Sequence, residues 1–312
     1  MTAAALPVQD AARLRQRITA LSVTAALVLT VIKAFAWRAS GSVSMLASLA
    51  DSALDIVAAL GTFFAVRYAA QPADAEHRYG HGKAEAFASL VQAGLVFASA
   101  ALVGEQAVTH LLHPEPLAYE RWGLAVMAIS IVLTGVLVYT QSQVLKQAQS
   151  VAIEGDRLHY AADLASNLIA FIGIGVAALV HAPQPDAVAG LLVVGWLVWG
   201  AVEVFRRAAY ELMDHELDDA ARVRIAALMK HDRRVKDVHQ LRTRASGPYI
   251  HIQMHVDLDP GLSLVEAHEV MVAAEKRVLE AFPAADIIIH PDPRGKAEEH
   301  GGAFAEVHDA GA

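Results

Sequence analysis

Two pairs of ionisable residues lie inside long apolar segments of the sequence. Asp51 and Asp55 are four residues apart, and so are His159 and Asp163. In an α-helix this spacing places both side chains of a pair on one face, about one turn apart. Charged or ionisable groups are costly inside an apolar helix and usually face a partner or a water-filled path. Together the pairs offer three carboxylates and one imidazole, a ligand set that suits a tetrahedral divalent cation.

A purely structural role is the alternative reading of these four residues. Each pair would then lie at the edge of a bilayer, or bond to polar neighbours such as Ser48, Ser52 and Asn167. That alternative has to account for the same helical spacing on two separate helices, and for the repulsion between Asp51 and Asp55 when both are ionised. We therefore predict a metal site.

The composition indicates a membrane protein whose metal ligands are nitrogen and oxygen atoms. Of 312 residues, 55% are hydrophobic and 19% are charged, which is unusual for a soluble protein. There is no cysteine, so disulfides and thiolate ligands are excluded, and fifteen histidines are present. A formal net charge of −8 argues against binding to nucleic acid.

Membrane helices are the elements that must position the two pairs. We predict six spans, each near the ~20 residues that a bilayer helix needs. They cover residues 18–37, 44–68, 84–112, 122–141, 158–180 and 187–205. Loops with several Arg and Lys residues alternate with loops that carry few, so both termini are expected in the cytoplasm. The first span lacks a convincing cleavage site and should remain as a helix.

A small soluble domain is predicted after the last span. Residues 250–258 alternate between apolar and polar side chains, which is typical of a strand with one buried face. A second strand precedes it, helices are predicted at 218–230 and 263–281, and a short final strand at 286–289. The fold class is thus a mostly α membrane protein, with a six-helix domain at 1–212 and a cytoplasmic αββαβ domain of α+β type at 213–294. Residues 295–312 are predicted to be a disordered tail.

Several motifs resemble those of the cation diffusion facilitator family. They are SLADSALD at 48–55, QPADAEHRYGHGKAE at 71–85, HYAADLASN at 159–167, and later HQLRTRASGP, QMHVDL, EAHEV and IIIHPDP. The sequence is most similar to the bacterial ferrous-iron and zinc efflux branch. This resemblance implies a homodimeric metal/proton antiporter of the bacterial inner membrane, not an enzyme, with a metallochaperone-like cytoplasmic domain. It also implies a transport site, a loop site and a two-metal cytoplasmic site in each protomer.

The resemblance implies a transport site made of Asp51, Asp55, His159 and Asp163. The helical spacing predicts the same four residues independently. In having a histidine at position 159, the sequence resembles family members that favour zinc or cadmium. Imidazole also suits zinc and iron better than it suits harder ions. We therefore expect Zn²⁺ as the transported ion and as a structural or regulatory ion, with Fe²⁺ or Cd²⁺ as other substrates.

The remaining site residues are implied by the resemblance alone. The loop site is Asp74, His77 and His81, and the cytoplasmic site is His239, His255, His268, His290 and Asp292, with the Asp as a bridging ligand. Lys83 resembles an interlock lysine that would pair with Asp214. A hydrated loop can also hold such residues for solubility, and Lys83 can be an ordinary cytoplasmic charge. Pro291 and the extra imidazole of His251 depart from the family pattern.

Two other function classes are alternatives to transport. An intramembrane metalloenzyme would need an open coordination position and a general base, whereas four ligands close the tetrahedron and no HExxH-like motif is present. A membrane-anchored metal sensor would use the soluble histidines alone. Such an anchor gains nothing from the ionisable pairs in the second and fifth spans.

Overall fold

The computed structural model describes residues 7–40, 43–112, 121–180 and 184–296. It divides into two compact units, residues 1–212 and residues 213–312. Residues 297–312 of the predicted tail lie outside the described residues.

Six long helices form the first unit. They are α1 (Val8–Ser40), α2 (Val43–Ala69), α3 (Ala84–Leu112), α4 (Arg121–Leu145), α5 (Val151–Val180) and α6 (Gln184–Leu212). Four contain segments long and apolar enough to cross a membrane: Gln9–Ala39, Ser48–Ala69, Ala84–Thr109 and Leu124–Leu145. The helices α5 and α6 have 30 and 29 residues, and their crossing of the membrane stays a prediction.

Helix α5 begins seven residues before the predicted fifth span. The prediction started at residue 158 because Glu154, Asp156 and Arg157 interrupt the apolar pattern. The structure continues the helix through these residues, and the Ser150 hydroxyl accepts a hydrogen bond from the Ile153 amide at its start. The predicted pair His159 and Asp163 therefore lies in the interior of the helix, in its third and fourth turns.

Small side chains allow the helices of the first unit to approach closely. One buried cluster joins α3, α5 and α6 through Ala93, Val96, Ala100, Leu158, Ala162, Leu197, Ala201 and Val204. Small residues at helix interfaces favour van der Waals packing where lipid removes the hydrophobic driving force. Gly155 shows how close α5 comes to α3, because a Cβ added there would lie 3.0 Å from the Gln92 Cβ.

The second unit contains a three-stranded sheet and two helices. Its elements are α7 (Asp219–Met229), β1 (Val235–Ser246), β2 (Tyr249–Leu258), α8 (Leu264–Ala281) and β3 (Ala285–Pro293). The predicted αββαβ order is confirmed. Strand β2 lies in the centre, antiparallel to β1 and parallel to β3. Strand β3 is longer than predicted, because Pro291 and Pro293 are tolerated in an edge strand.

Local signals explain where these elements begin and turn. Asp218 caps α7 by accepting a hydrogen bond from the Ala221 amide, and Ser263 with Glu266 forms a capping box at the start of α8. Gly247 has a φ of 55° in the turn that joins β1 to β2. A residue without a Cβ adopts that conformation without strain.

One face of the sheet forms the core of the second unit. The buried side chains are Ile225, Met229, Val235, Ile252, Met254, Val256, Leu258, Val270, Met271, Ala274 and Val278. Because neighbouring residues of a strand point to opposite faces, His255 and Asp257 lie on the face of β2 away from this core. That face carries most of the predicted cytoplasmic ligands.

Candidate metal centres

Helices α2 and α5 bring together three of the four predicted transport-site residues. The His159 Nε2 atom lies 3.1 Å from Asp55 Oδ1 and 3.9 Å from Asp163 Oδ2. One ligand atom from each of the three lies within 4.8 Å of the others. Asp55 and His159 are 8% and 6% exposed. This is a compact, buried group of one imidazole and two carboxylates.

Asp51 is not part of that compact group. It lies one turn before Asp55 on α2, and its side chain is exposed. Its place as a fourth ligand therefore stays a prediction. The Nδ1 atom of His159 is buried and has no hydrogen-bond partner among the described residues.

Lys33 is a buried cation beside this group that the sequence analysis missed. It is 9% exposed on α1, and its ammonium donates hydrogen bonds to the Ser52 hydroxyl and to the Ser48 carbonyl, the latter at 3.3 Å. It also interacts electrostatically with Asp51 and Asp163. A positive charge here partly offsets the carboxylates. The signal in the sequence was a single lysine inside an otherwise apolar span.

Asp156, which the sequence analysis also missed, fixes α5 against two neighbouring helices. Its fully buried carboxylate accepts hydrogen bonds from Gln92 of α3 at 3.2 Å and from Gln141 of α4 at 2.8 Å. It lies one turn before His159 on α5, so these bonds help to orient the helix that carries two of the candidate ligands. Its spacing of three residues from His159 was the available signal.

The loop between α2 and α3 gathers its three predicted residues. Asp74 Oδ1 lies 3.3 Å from His77 Nδ1, and Asp74 Oδ2 lies 3.3 Å from His81 Nε2. One ligand atom from each residue falls within 4.8 Å of the others. His81 is buried against the Tyr68 ring, whereas Asp74 and His77 are exposed. This cluster could hold a cation near the protein surface.

The local backbone prepares Asp74 for that position. The amides of His77 and Glu76 donate to its Oδ1 at 2.6 and 2.9 Å. The hydrogen bond from the His77 amide is the main reason that the pKa of Asp74 is lowered. The carboxylate therefore stays ionised to lower pH than an ordinary Asp.

The proposed interlock between Lys83 and Asp214 stays a prediction. Lys83 donates a hydrogen bond to the Leu212 carbonyl at 3.2 Å, within the first unit. Asp214 pairs with Arg244 at 3.2 Å, within the second unit. The lysine thus contacts the end of α6.

The register of the cytoplasmic sheet aligns three predicted histidines. His239 of β1 is opposite His255 of β2, and His255 is opposite His290 of β3. A bulge follows His239, where the register shifts and Gln240 has a φ of 48°. Such bulges change the direction of a neighbouring side chain. Three separate elements thereby present imidazoles on one face of the sheet.

Asp292 lies between these histidines and uses both of its oxygens. Its Oδ2 is 2.8 Å from His255 Nδ1 and 3.6 Å from His239 Nε2, while its Oδ1 is 3.3 Å from His290 Nε2. One oxygen faces each side, as a carboxylate that bridges two ions would. The donor set and its geometry fit divalent zinc.

His268 is not brought into this group by the described structure. It is exposed on α8, whose buried side chains pack on the core face of the sheet. The extra imidazole of His251 is placed beside Asp286, with 3.2 Å between His251 Nδ1 and the Asp286 Oδ2. The role of His268 as a ligand stays a prediction.

Comparison with known families decides the identity of both units. A family model described as the cation efflux transmembrane domain matches residues 19–213. A second, described as the cation efflux protein cytoplasmic domain, matches residues 217–294. The chain belongs to the cation efflux family. The resemblance to cation diffusion facilitators is thereby confirmed, and the chain is a member of a family of membrane cation transporters.

Relatives in this cation efflux family match along nearly their whole length. The cation-efflux pump FieF of Shewanella oneidensis is 41% identical over 272 residues, which is 87% of this chain and 92% of that protein. FieF of Pectobacterium carotovorum is 39% identical over 284 residues, 91% of this chain and 94% of that protein. FieF of Citrobacter koseri is 37% identical over 296 residues, 95% and 98% of the two chains.

Solved structures match part of the chain. Among them, a structure of the putative zinc transporter CzrB in its zinc form is 30% identical, and the match covers 28% of this chain and 99% of that solved chain with a TM-score of 0.26. A likeness of this extent carries no argument about the fold.

Proposed function

We propose that this cation efflux protein exports a divalent transition-metal cation, with zinc favoured over iron and cadmium, in exchange for protons. Membership in the family and the similarity to cation-efflux pumps support the direction of transport. The observation that carries the proposal is the buried group of Asp55, His159 and Asp163. In this group the His159 Nε2 atom lies 3.1 Å from Asp55 Oδ1 and 3.9 Å from Asp163 Oδ2. Ionisable groups inside apolar helices mark ion and proton paths.

Protons and the metal ion compete for the same lone pairs of these ligands, and this competition couples metal export to proton import. A metal ion binds to ionised carboxylates and to a neutral imidazole, so protons must leave these groups before the ion enters. On a more acidic side, protonation of the same atoms displaces the ion. Alternating access of the site to the two sides of the membrane turns this competition into exchange.

The chemistry of the ligands supports zinc. Two carboxylates and one imidazole, with Asp51 as the fourth ligand, form a nitrogen and oxygen set for a borderline divalent ion. Lys33 nearby lowers the net negative charge of the vacant set, and this makes release of the ion less costly.

The wider assembly follows from the family. We propose a homodimer in the bacterial inner membrane, with both termini in the cytoplasm, and the match of residues 217–294 to a cytoplasmic dimerisation domain supports it. Metal bound at His239, His255, His290 and Asp292 would strengthen contacts between the cytoplasmic domains and thereby regulate transport.

The decisive test is metal uptake into inverted membrane vesicles with an imposed pH gradient. Asp55→Asn and Asp51→Ala should each abolish uptake of zinc, iron(II) and cadmium, because the first removes a buried ligand and the second removes the predicted fourth ligand. Glu280→Gln is the matched control, since Glu280 is an exposed acidic residue on α8, outside the predicted spans and the candidate metal clusters, and it should keep wild-type uptake. Full uptake by a folded Asp55→Asn protein would refute the site.

A further inference from the structure

Two buried polar atoms in the cytoplasmic unit face each other without a hydrogen bond. The Nε2 atom of His239 and the Oδ1 atom of Asp257 are both buried and have no hydrogen-bond partner among the described residues. They lie 3.3 Å apart. Buried polar atoms are rarely left unpaired in native proteins, and one cation bound to both atoms would satisfy them.

The distances around His239 match those between ligands of one tetrahedral ion. Zinc binds nitrogen and oxygen at about 2.0–2.1 Å, so neighbouring ligand atoms of a tetrahedron lie about 3.3 Å apart. His239 Nε2 is 3.3 Å from Asp257 Oδ1 and 3.6 Å from Asp292 Oδ2. His255 Nδ1 is 2.8 Å from the same Asp292 oxygen. The ligand atoms of His239, His255 and Asp292 lie within 4.8 Å of one another, and a turn of the Asp257 side chain, which already contacts His239, would complete the set around one ion.

The ring nitrogen that faces a carboxylate shows whether that carboxylate is a metal ligand or only orients the histidine. A carboxylate that orients a metal-binding histidine usually accepts a hydrogen bond from the ring nitrogen that does not bind the metal. Here one and the same nitrogen, His239 Nε2, faces both Asp257 and Asp292. Asp257 therefore lies on the metal side of the imidazole.

The sheet explains how Asp257 reaches this position. It follows His255 by two residues on β2 and so lies on the same face, and its partner in the register of β3 is Asp292. Asp237 is its partner on β1, but the Asp237 carboxylate is held by Lys230 at 2.7 Å. Of the two partners Asp237 and Asp257, it is therefore Asp257 whose carboxylate is directed at the metal cluster.

We propose that Asp257 is a fourth ligand of the zinc ion held by His239, His255 and Asp292, and that it closes the tetrahedron of that ion. The inference rests on the metal binding proposed above for the cytoplasmic domain, and it adds a ligand that neither the motifs nor the family resemblance supplied. A closed tetrahedron with two carboxylates retains its ion, as structural zinc sites do. The second ion, on the His290 side of Asp292, does not use this ligand.

The test is cobalt(II) binding by the full-length chain in detergent, with His159→Ala and His81→Ala introduced to disable the other two sites. Cobalt reports its coordination number through the intensity of its visible absorption. Asp257→Asn should weaken the tighter cytoplasmic site at least about tenfold. It should also lower the intensity of the visible absorption towards that of a five-coordinate ion, because two water molecules can enter where one carboxylate has left. Asp237→Asn, the matched charge change, should alter neither property.

Each outcome separates this ligand from the wider proposal. An unchanged spectrum and affinity in Asp257→Asn would overturn the assignment, and so would weaker binding with an unchanged spectrum, which indicates a positioning role. If the parent chain with the two disabled sites binds no cobalt, the cytoplasmic metal cluster itself is wrong, and the ligand with it. Zinc transport by the otherwise wild-type chain reports separately on the membrane site.

Discussion

The membrane cluster and the cytoplasmic cluster use the same residue types on different supports. In the membrane unit, Asp55 lies on α2, and His159 and Asp163 lie on α5. In the cytoplasmic unit, His255 and Asp292 lie on adjacent strands that are joined by the hydrogen bonds of a sheet. Helices that contact through side chains can shift relative to each other, whereas hydrogen-bonded strands keep their ligands at fixed distances.

The membrane cluster is held by helices and the cytoplasmic cluster by strands, and this difference agrees with their proposed roles in transport and in regulation. A site that must load and release an ion in each cycle benefits from ligands on two elements that can move relative to each other. A regulatory site benefits from ligands that are fixed by a register. The nearby ammonium of Lys33 sharpens the contrast, because it lowers the affinity of the membrane cluster for another cation.

The largest expected effect comes from removing the imidazole at each cluster in turn. His159→Ala should lower zinc flux at least about 100-fold, because a lost ligand costs more than a disturbed ligand environment. His255→Ala should abolish tight zinc retention by the cytoplasmic unit but lower flux only several-fold, since it removes regulation. The measurements are zinc uptake into inverted vesicles and zinc content after dialysis.

Each of these variants is a control for the other. If His255→Ala stopped transport as completely as His159→Ala, the division of tasks between the clusters would be wrong. His231→Ala, in the loop after α7, should change neither flux nor zinc content.

A smaller effect is expected where α5 lies closest to α3. In Gly155→Ala the new Cβ would lie 3.0 Å from the Gln92 Cβ, so α5 or its neighbour α3 must shift by a few tenths of an ångström. Overpacking of this kind costs about 1–3 kcal/mol and should lower the Tm. Zinc flux should also fall, because Asp156 and His159 are on the displaced helix.

Gly61→Ala is the matched substitution for this test. A Cβ there meets nothing within 4 Å, so the Tm should stay the same or rise slightly through improved helix propensity. Equal Tm values for the two alanine variants would show that α5 and α3 are not tightly packed at this point.

The smallest effect is expected at the loop. Asp74→Asn should weaken zinc binding there while flux changes less than about twofold, because the cluster is separate from the buried group. The lowered pKa of Asp74 keeps the wild-type carboxylate ionised in mild acid, so release of loop metal on acidification should follow imidazole protonation. Zinc titrations of the full chain at neutral and mildly acidic pH measure this. A large loss of flux in Asp74→Asn would contradict the assignment.

Helical spacing is why the membrane cluster could be predicted from residues alone. Asp55, His159 and Asp163 follow a local rule, and the structure places them together. Helix α5 begins before the predicted span, because hydropathy responds to charge, whereas helix formation does not stop at Asp156 when glutamines satisfy its carboxylate. Lys33 was missed because an isolated lysine in an apolar span gives no spacing to interpret.

The cytoplasmic cluster could be predicted only from the family resemblance, because the spacing of residues along one strand does not show which residues of other strands lie opposite. His239 and His290 are distant in sequence, and the bulge at Gln240 and the parallel pairing of β2 with β3 bring them to one face. Asp257 follows His255 by two residues and fits the local pattern of that face. It was overlooked because the resemblance implied only His255 as a ligand from the motif QMHVDL, although Asp257 belongs to the same motif.

Zinc binding by the full-length chain, with the loop and cytoplasmic ligands replaced by alanine, tests the central claim most directly. At neutral pH the chain should bind one zinc ion per protomer and release protons as it does so, and mild acid should remove the ion. Adding Asp55→Asn and His159→Ala should eliminate binding. Zinc that remains bound after both replacements, or that never binds while these residues are intact, would contradict the account.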